Sequence, residues 1–303
     1  MSQLKTIFIL GKGGTGKSTA STLLSLELAE RGRKSILASF DDAHNLTDIF
    51  EQPFSHKASR VKPFLDVIQM DRDREIKRYL EQTTEKVKKN YTYLTAFNLD
   101  NYFDVLKFSP GMEAHALTTA FVDLKTRYSD RDFLIIDMPP TALSMHFFNL
   151  PSLSLTWIEQ LEKLRMDINE RKEIISRIRF AGKERERDKV LARIHEIKAG
   201  HAGLKAFFKD ASQARFWVVH NPDALSLAET GRIIDQLSPL NIRLSASICS
   251  HRSSADIPGN HALPGWAELP SAHLPFSPSP LIGPAALEKY RAEHRITLMP
   301  LID

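Results

Sequence analysis

The sequence predicts an α/β protein in which a mostly parallel central sheet is covered by helices on both faces. Three observations predict it: six short apolar runs, helical patterns between most of them, and a glycine-rich loop between the first run and the first helix. Several runs are continuously apolar rather than alternating, which is typical of strands buried on both faces. Because strands that alternate with helices form parallel sheets, the chain order itself indicates this fold class.

The predicted elements follow one another along the chain. We expect strands at 5–11, 35–40, 64–70, 132–139, 215–222 and 243–249. We expect helices at 17–31, 73–90, 113–128, 143–150, 224–237 and 284–294. The seven prolines of 257–284 predict an ordered loop. We expect a single domain over 1–303, with helical subregions inserted at 71–130 and 151–212.

Residues 151–212 depart from the alternation of strands and helices. Apolar residues recur there at spacings of three and four, which predicts a long helical hairpin that turns near Gly182 and buries the two apolar seams together. The seams are Trp157, Leu161, Leu164, Ile168, Ile175 and Ile178 in the first helix, and Val190, Ile194, Ile197, His201, Leu204 and Phe208 in the second. The hairpin either covers the sheet or is a moving or partner-binding arm.

Composition excludes several classes of protein. Apolar residues make up 42% of the chain, too many for a disordered protein, and no apolar run approaches the roughly 18 residues of a membrane span. Cys249 is the only cysteine, so an internal disulfide and a multi-cysteine metal cage are excluded, and we expect a cytoplasmic protein. The net charge of +4 is located in 151–212, which has 14 Lys/Arg and 10 Asp/Glu. This segment is either a solvated surface or a surface that binds acidic partners.

The glycine-rich loop ILGKGGTGKST, residues 9–19, matches the pattern G-x-x-x-x-G-K-[ST] between a predicted strand and a predicted helix. Backbone N–H groups of such a loop converge on phosphate oxygens at the positive end of the helix. The predicted nucleotide-binding residues here are Gly11, Gly13, Gly14, Thr15, Gly16, Lys17, Ser18 and Thr19. Lys17 is expected to reach the β and γ phosphates, the Ser18 hydroxyl to bind Mg²⁺, and Thr19 to hold the α phosphate. The sequence therefore predicts a P-loop NTPase that uses ATP and Mg²⁺, and the single domain is predicted to be an ATPase.

Lys12 begins the longer pattern K-G-G-x-G-K-[ST], which resembles the deviant Walker A loop of the signal-recognition and MinD-like class. The resemblance implies that Lys12 crosses a two-fold interface to the other subunit's nucleotide, as an arginine finger does, and therefore that the protein is a homodimer. The alternative is a solvated loop lysine.

The segment SFDDAHNLTDIF, residues 39–50, follows the second predicted strand and resembles a switch of the ArsA and guided-entry (tail-anchored protein targeting) ATPases. The resemblance implies that Asp41 positions or deprotonates the attacking water. Asp42 stands where that family has proline, which leaves the rate of hydrolysis open. Without the family, two aspartates after a strand would equally fit a helix cap.

The segment FLIIDMPPTA, residues 133–142, is an apolar strand that ends at Asp137, which looks like a Walker B aspartate holding Mg²⁺ through water. Pro140 and Thr141 match the second switch of the same family. Ala142 and Leu143 replace its glycine and histidine, so this loop is expected to couple differently.

Three further segments carry the resemblance. Glu113 occupies the acidic position of a PGxxE-like segment, although it also fits a charge at a helix N-terminus. HNPDALSLAETGRIIDQL, residues 220–237, places Asn221 and Pro222 at the end of a strand, where such sheets bind ligands. The resemblance implies that these two residues, and Pro275 of HLPFSPSPL, contact the purine.

The family resemblance implies a dimeric switch ATPase that couples its nucleotide state to a client protein, a membrane-derived partner or an anion cargo. The single cysteine excludes a soft-metal cage of the arsenite-pump type within one chain and the C-x-x-C zinc pair of eukaryotic targeting factors, so we expect no zinc. The scattered methionines indicate no apolar client groove. Two alternatives stay open: a ParA/MinD-like positioning ATPase on DNA or membrane, although specific nucleic-acid binding is not expected, and a binding module that hardly hydrolyses its nucleotide.

Overall fold

The structure is a computed structural model that describes residues 3–43, 45–90, 109, 111–179, 189–251 and 268–302. The strands are β1 Lys5–Leu10, β2 Ser35–Ser39, β3 Ser59–Lys62, β4 Leu65–Gln69, β5 Phe133–Asp137, β6 Ala214–His220, β7 Ala246–Ser250 and β8 Ser271–Leu274. The helices are α1 Lys17–Glu30, α2 Asn45–Phe50, α3 Arg72–Asn90, α4 Met112–Arg127, α5 Thr141–Arg179, α6 Lys189–Lys209, α7 Ala224–Leu237 and α8 Pro284–Glu293. Short 3-10 turns occupy Ser238–Leu240 and Met299–Leu301.

The strands form one eight-stranded sheet in the order β3-β4-β2-β5-β1-β6-β7-β8. Every neighbouring pair is parallel except β3 and β4, so the predicted mostly parallel sheet is confirmed. The register pairs Asp137 with both Ile9 and Ser39, which brings the carboxyl ends of β1, β2 and β5 to one level. The loops that leave these three strands therefore meet at one edge of the sheet.

The sheet is covered on both faces, which explains why its central strands are continuously apolar. On one face Phe8 lies among five phenylalanine rings whose centroids are 5.1–6.2 Å away. Those rings belong to Phe121, Phe147, Phe148, Phe208 and Phe216. The other face packs against α1, in which Leu24 is completely buried. The first helix is thus fixed against the sheet directly behind the glycine-rich loop.

Three elements were missing from the sequence prediction. The short helix α2 and the edge strand β3 have too few apolar residues to show a period, and the residues of β3 are half-buried or exposed. The strand β8 forms inside the proline-rich segment that was predicted to be loop, so that prediction is wrong at Ser271–Leu274. Pro270 and Pro275 flank this edge strand without interrupting it. Residues 257–267 of the same prediction lie outside the described residues.

Helix α5 is one continuous helix from Thr141 to Arg179, with Pro151 inside it, so the predicted break after residue 150 is wrong. It packs antiparallel to α6 as the predicted hairpin. Within the part of the chain that the structure describes, none of the helices has both the length and the apolar character needed to cross a bilayer.

The apolar seam predicted for the first hairpin helix is wrong, because its residues face solvent. Trp157, Leu161 and Leu164 are 71%, 48% and 56% exposed. We call their face of α5 the apolar stripe, which consists of Leu153, Trp157, Leu161, Leu164 and Ile168. At 3.6 residues per turn these five side chains fall within an arc of about 80° and run for about 22 Å. The side chains of Ile175 and Ile178 and the turn at Gly182 lie outside the described residues.

The inner face of α5 is displaced by one residue from the predicted seam. Ile158 is 7% exposed, and Glu162 accepts hydrogen bonds from Lys198 Nζ at 2.6 Å and pairs with His195 Nε2 at 2.7 Å. The hairpin is therefore joined partly by charged groups, which a search for apolar periodicity cannot find.

The second hairpin helix follows its predicted seam only near the sheet. Leu204 and Phe208 are buried there, whereas Ile197, further from the sheet, is 39% exposed.

Two neighbouring substitutions test this helix rotation. Ile158→Ala removes a buried side chain and should lower the free energy of unfolding by about 2–4 kcal/mol. Trp157→Ala, one position away, should change it by no more than about 0.5 kcal/mol because the ring is largely exposed. Chemical denaturation followed by circular dichroism measures both changes. A larger loss for Trp157→Ala than for Ile158→Ala would show that the predicted seam, and not the observed face, is packed.

Candidate functional site

The glycine-rich loop lies between β1 and α1 and has a backbone that only glycine adopts without strain. Gly11 has φ 143°, and a Cβ placed on it would lie 2.1 Å from the carbonyl oxygen of Val219. Gly16 has φ 93° and immediately precedes α1, with the Ser250 hydroxyl 3.1 Å from where its Cβ would be. The backbone therefore passes close against β6 and β7 and turns its N–H groups toward the start of α1.

The loop is held around the carbonyl oxygen of Lys12. Thr15 donates to it from Oγ1 at 2.8 Å, and Lys17 donates to it from Nζ at 3.3 Å. Thr15 and Lys17 are buried, at 1% and 5% exposure. Lys17 is thus a buried cation at a helix N-terminus, an arrangement suited to a phosphate chain.

Ser18 and Asp137 meet directly beneath the loop. Ser18 Oγ donates to Asp137 Oδ2 at 2.7 Å, and the Asn45 side-chain amide donates to Ser18 Oγ at 3.2 Å. Asp137 is completely buried, and its second oxygen, Oδ1, has no hydrogen-bond partner among the residues that the structure describes. Burial raises the pKa of Asp137 to about 7, against the opposing effects of the Ser18 hydrogen bond and the Lys17 charge. Two oxygen donors, one of them without a partner, are thus available to a hard divalent cation.

Asp41 follows β2 at the same edge of the sheet and is held through its own backbone. Its carbonyl oxygen accepts a hydrogen bond from Gln69 Nε2 at 2.9 Å. Its carboxylate oxygen Oδ1 accepts one from the N–H of Ala43 at 3.2 Å. This contact closes an Asx turn, which lies before α2 begins at Asn45.

Asp42, which replaces the family's proline, makes an ion pair with Arg72 at 3.0 Å. Arg72, the first residue of α3, also pairs with Glu113 in the first turn of α4 at 3.3 Å. Desolvation is the largest influence on Asp42 and raises the pKa of its carboxyl group, while Arg72 lowers it. The substitution thus adds a contact between the segment after β2 and two helices.

Asn221 directly follows β6 and is buried, with its side-chain amide donating to the carbonyl oxygen of Ser250 at 2.6 Å. An open cavity beside it is lined by Thr19, Ser250 and Pro275, among others. Tyr290 of α8 closes one wall by donating its hydroxyl to the carbonyl oxygen of Pro275 at 2.5 Å. This cavity begins at the first turn of α1, where a group attached to a bound phosphate chain would emerge.

Two of the predicted residues lie apart from this cluster. Lys12 is exposed; hydrogen bonds from Arg232 and Thr141 lower the pKa of Glu229 on α7, and the charge of Lys12 adds to that effect. Pro222 is half-buried at the start of the turn into α7 but does not line the cavity. The structure therefore brings together the loop, Asp137, Asp41, Asn221 and Pro275, and leaves the side chain of Lys12 exposed.

Sequence reasoning missed several residues that complete the site. Asn45 lies within the segment quoted for the first switch, so its amide could have been found from its place after β2. Gln69 and Ser250 end β4 and β7, and such strand ends are the expected location for polar site residues. Arg72 had no sequence signal, because only the tertiary fold brings the start of α3 to Asp42.

The glycine-rich loop, the buried Lys17 and the Ser18–Asp137 pair at the carboxyl edge of a parallel sheet define a P-loop NTPase. Residues 4–253 match the family model described as anion-transporting ATPase. The chain belongs to that family, and the resemblance to ArsA and guided-entry ATPases is confirmed.

Individual relatives agree with this membership. An ATPase ASNA1 homolog of Cryptosporidium parvum is 28% identical over 82% of this chain, and an ATPase GET3 of Malassezia globosa is 26% identical over 82%. An ATPase ASNA1 homolog of Plasmodium vivax is 29% identical over 79%. The match spans 64% of the Cryptosporidium protein, 61% of the Plasmodium protein and 72% of the Malassezia protein, so parts of these relatives have no counterpart in the matched region.

The buried Asp137 carboxyl predicts a pH-dependent stability. Its pKa of about 7 exceeds that of an unfolded aspartate, about 3.9, so the nucleotide-free protein should lose stability as the pH rises from about 4 through 7. Asp137→Asn cannot ionise and keeps an acceptor for Ser18. It should raise the melting temperature at pH 8 by about 2 °C or more, and by much less at pH 5.

Thermal unfolding in EDTA, without nucleotide, measures this difference. Asp235→Asn replaces an exposed aspartate and serves as the control, with no change expected at either pH. An equal or lower melting temperature for Asp137→Asn at pH 8 would contradict the raised pKa.

Proposed function

We propose that this protein is a Mg²⁺-dependent ATPase that hydrolyses ATP between two copies of the chain and couples the nucleotide state to an apolar client. The observation that carries the proposal is the buried Ser18–Asp137 pair, with one carboxylate oxygen left without a partner, beside a loop of backbone N–H groups. Such a pair is costly in the absence of a cation and becomes favourable when one binds. All of 1–303 is proposed to serve as one ATPase domain.

Phosphate binding is assigned to the loop from Gly11 to Thr19. Its N–H groups and Lys17 would neutralise the β and γ phosphates. The hydroxyl of Ser18 and, through water, the carboxylate of Asp137 would hold Mg²⁺, which supplies positive charge to the phosphate oxygens when bound. Asn45, which already donates to Ser18, would orient the Ser18 oxygen.

The cavity lined by Thr19 and Pro275 is proposed to take the base of the nucleotide, with Asn221 at its rim. Asn221 is fixed on the Ser250 carbonyl oxygen, so its position depends on the alignment of β6 with β7. Adenine is the base that the family membership supports.

Hydrolysis is assigned to Asp41 and to Lys12 of a second copy. Asp41 follows β2 at the level of Asp137 and is proposed to orient the attacking water. The position inside the loop is filled by Lys17, which donates to the Lys12 carbonyl oxygen, whereas the side chain of Lys12 is exposed. An exposed cation at the rim of a loop whose own phosphate position is taken by Lys17 supports its use on the nucleotide of another copy.

Two substitutions test the catalytic assignments in one ATPase assay. Asp41→Asn should keep ATP affinity and lose turnover by about 10²-fold, because a water-positioning carboxylate becomes neutral. Lys12→Ala should lower turnover similarly and also abolish dimer formation with Mg²⁺, ADP and aluminium fluoride, measured by light scattering.

Lys34→Ala replaces an exposed lysine elsewhere and should behave as the wild type in both measurements. A chain that stays monomeric with the transition-state mimic, and turns over equally as wild type and Lys12→Ala, would exclude hydrolysis between copies. Unchanged turnover in Asp41→Asn would exclude its role.

The apolar stripe supports an apolar helix as the client. The scattered methionines gave no indication of an apolar surface, yet five large apolar side chains lie side by side on the outer face of α5. A monomer seldom exposes so long a run of apolar side chains unless it binds something. A helical segment of comparable length could cover the stripe through contacts every three or four residues.

The hairpin supports nucleic acid less well. Two of its described cations are already paired, Lys198 with Glu162 and Arg193 with Glu196. The apolar stripe on α5 offers no charge to phosphates. We therefore propose no DNA-binding role.

A labelled peptide of about 20 apolar residues tests the client surface by fluorescence anisotropy. Wild type with ATP and Mg²⁺ should bind it, and the double variant Leu161→Ser/Leu164→Ser should bind at least about tenfold more weakly. Met166→Ser, equally exposed on the other side of α5, is the matched control and should bind as wild type. Equal affinity in all three proteins, or salt-sensitive binding of DNA instead of the peptide, would contradict the proposal.

A further inference from the structure

A cluster of three possible metal ligands lies at the outer edge of the sheet, outside the phosphate-binding loop. Cys249 and His251 alternate along the end of β7, and His273 lies on β8 directly beside Cys249 in the strand register. The N–H of His251 donates to the carbonyl oxygen of Leu274 at 2.9 Å, which extends the β7–β8 pairing past the end of β7. Strand alternation places Cys249 and His251 on one side of the sheet, and strand pairing brings His273, which is distant in sequence, beside them.

The ligand atoms are close enough to share one cation. One nitrogen from each histidine and the Cys249 sulfur all lie within 4.8 Å of one another. The sulfur and His251 Nε2 are 3.9 Å apart. Tetrahedral zinc bonds of about 2.3 Å to sulfur and 2.0 Å to nitrogen would place those two atoms about 3.5 Å apart. Small changes in side-chain rotamers would therefore close the site.

The donor set selects the kind of cation. One thiolate and two imidazoles suit zinc and other borderline-soft metals, and they do not suit Mg²⁺, which prefers oxygen. Cys249 and His251 are half-buried and His273 is exposed, so the cluster is open to ions from solvent. The two histidine rings have their centroids 6.0 Å apart and their planes tilted by 35° to each other.

We propose that Cys249, His251 and His273 bind one Zn²⁺ per chain at the end of β7 and β8, with a fourth position left to solvent. Cys249 binds as thiolate, and its proton passes to the buffer. We expected no zinc because the chain has a single cysteine, but that expectation applies only to zinc sites built from several cysteines. Two histidines supply the missing ligands.

The site borders the proposed base cavity. Ser250 lies between Cys249 and His251, and it touches the loop at Gly16 and accepts the Asn221 hydrogen bond through its carbonyl oxygen. His251 itself lines the cavity. Zinc would therefore fix the strand ends that position Asn221, independently of any nucleotide.

Titration of the untagged, metal-free full chain tests the site. Isothermal titration with Zn²⁺, in buffer without nucleotide, should give one zinc per chain with micromolar or tighter affinity. Co²⁺ should give the visible bands of a tetrahedral site and a thiolate-to-cobalt charge-transfer band. Mg²⁺ should not displace either metal.

Matched variants locate the ligands. Cys249→Ser should remove the thiolate-to-cobalt band. His273→Ala should weaken zinc binding at least about tenfold, which is the loss typical of removing even an outer-shell partner of a metal ligand. His146→Ala, an exposed histidine on α5, should bind zinc as the wild type does.

Equal zinc affinity in Cys249→Ser and wild type, one zinc per two chains, or no binding would each overturn the proposal. Circular dichroism confirms that each variant is folded. Because the readout needs neither ATP nor hydrolysis, failure here leaves the proposed ATPase untouched, and failure of the ATPase assay leaves the zinc site untouched.

Discussion

The hydrogen bond between Ser18 and Asp137 is the interaction on which the site depends. It joins the first turn of α1 to the end of β5 inside the protein, where Asp137 has no access to solvent. Among the described residues, one carboxylate oxygen of Asp137 has a hydrogen-bond partner and the other has none. Keeping this buried carboxylate ionised therefore lowers the stability of the nucleotide-free fold, and burial raises its pKa for the same reason. A cation beside this carboxylate would remove the cost. The site is therefore built to be more stable when occupied than when empty.

The segment after β2 has a firmer attachment than its family pattern suggested. A proline at position 42 would restrict the backbone but could make no ion pair. Asp42 instead pairs with Arg72, which in turn reaches Glu113. Any movement of Asp41 toward a phosphate must therefore disturb or carry along the starts of α3 and α4. These pairs are partly exposed and individually weak, so they can exchange without a large barrier.

The central strands and the loop were predictable because each has a strong local cause. Continuous apolar runs mark strands covered on both faces, and the glycines mark a backbone that other residues cannot adopt. Which face of α5 is buried was not predictable, because the spacing of apolar residues does not decide whether Trp157 or Ile158 faces the partner helix. The partner contact is Glu162 with His195 and Lys198, and charged contacts leave no periodic signal. The zinc ligands were missed for a related reason, since strand pairing and not sequence distance brings His273 to Cys249.

Helix α5 is the structural link between the nucleotide edge and the apolar stripe. It begins four residues after Asp137, at Thr141, and runs without interruption past Leu153, the first residue of the stripe. Pro151 lies between the two regions and has no N–H to donate to the Phe147 carbonyl oxygen, so one helical hydrogen bond is missing there. Phe147 is completely buried in the aromatic cluster, whereas Leu153 and Trp157, beyond Pro151, are largely exposed. A helix that is packed tightly at its first turns and lacks a hydrogen bond just beyond them bends at that point. A rearrangement of the loop after Asp137 would therefore bend α5 near Pro151 and move the apolar stripe.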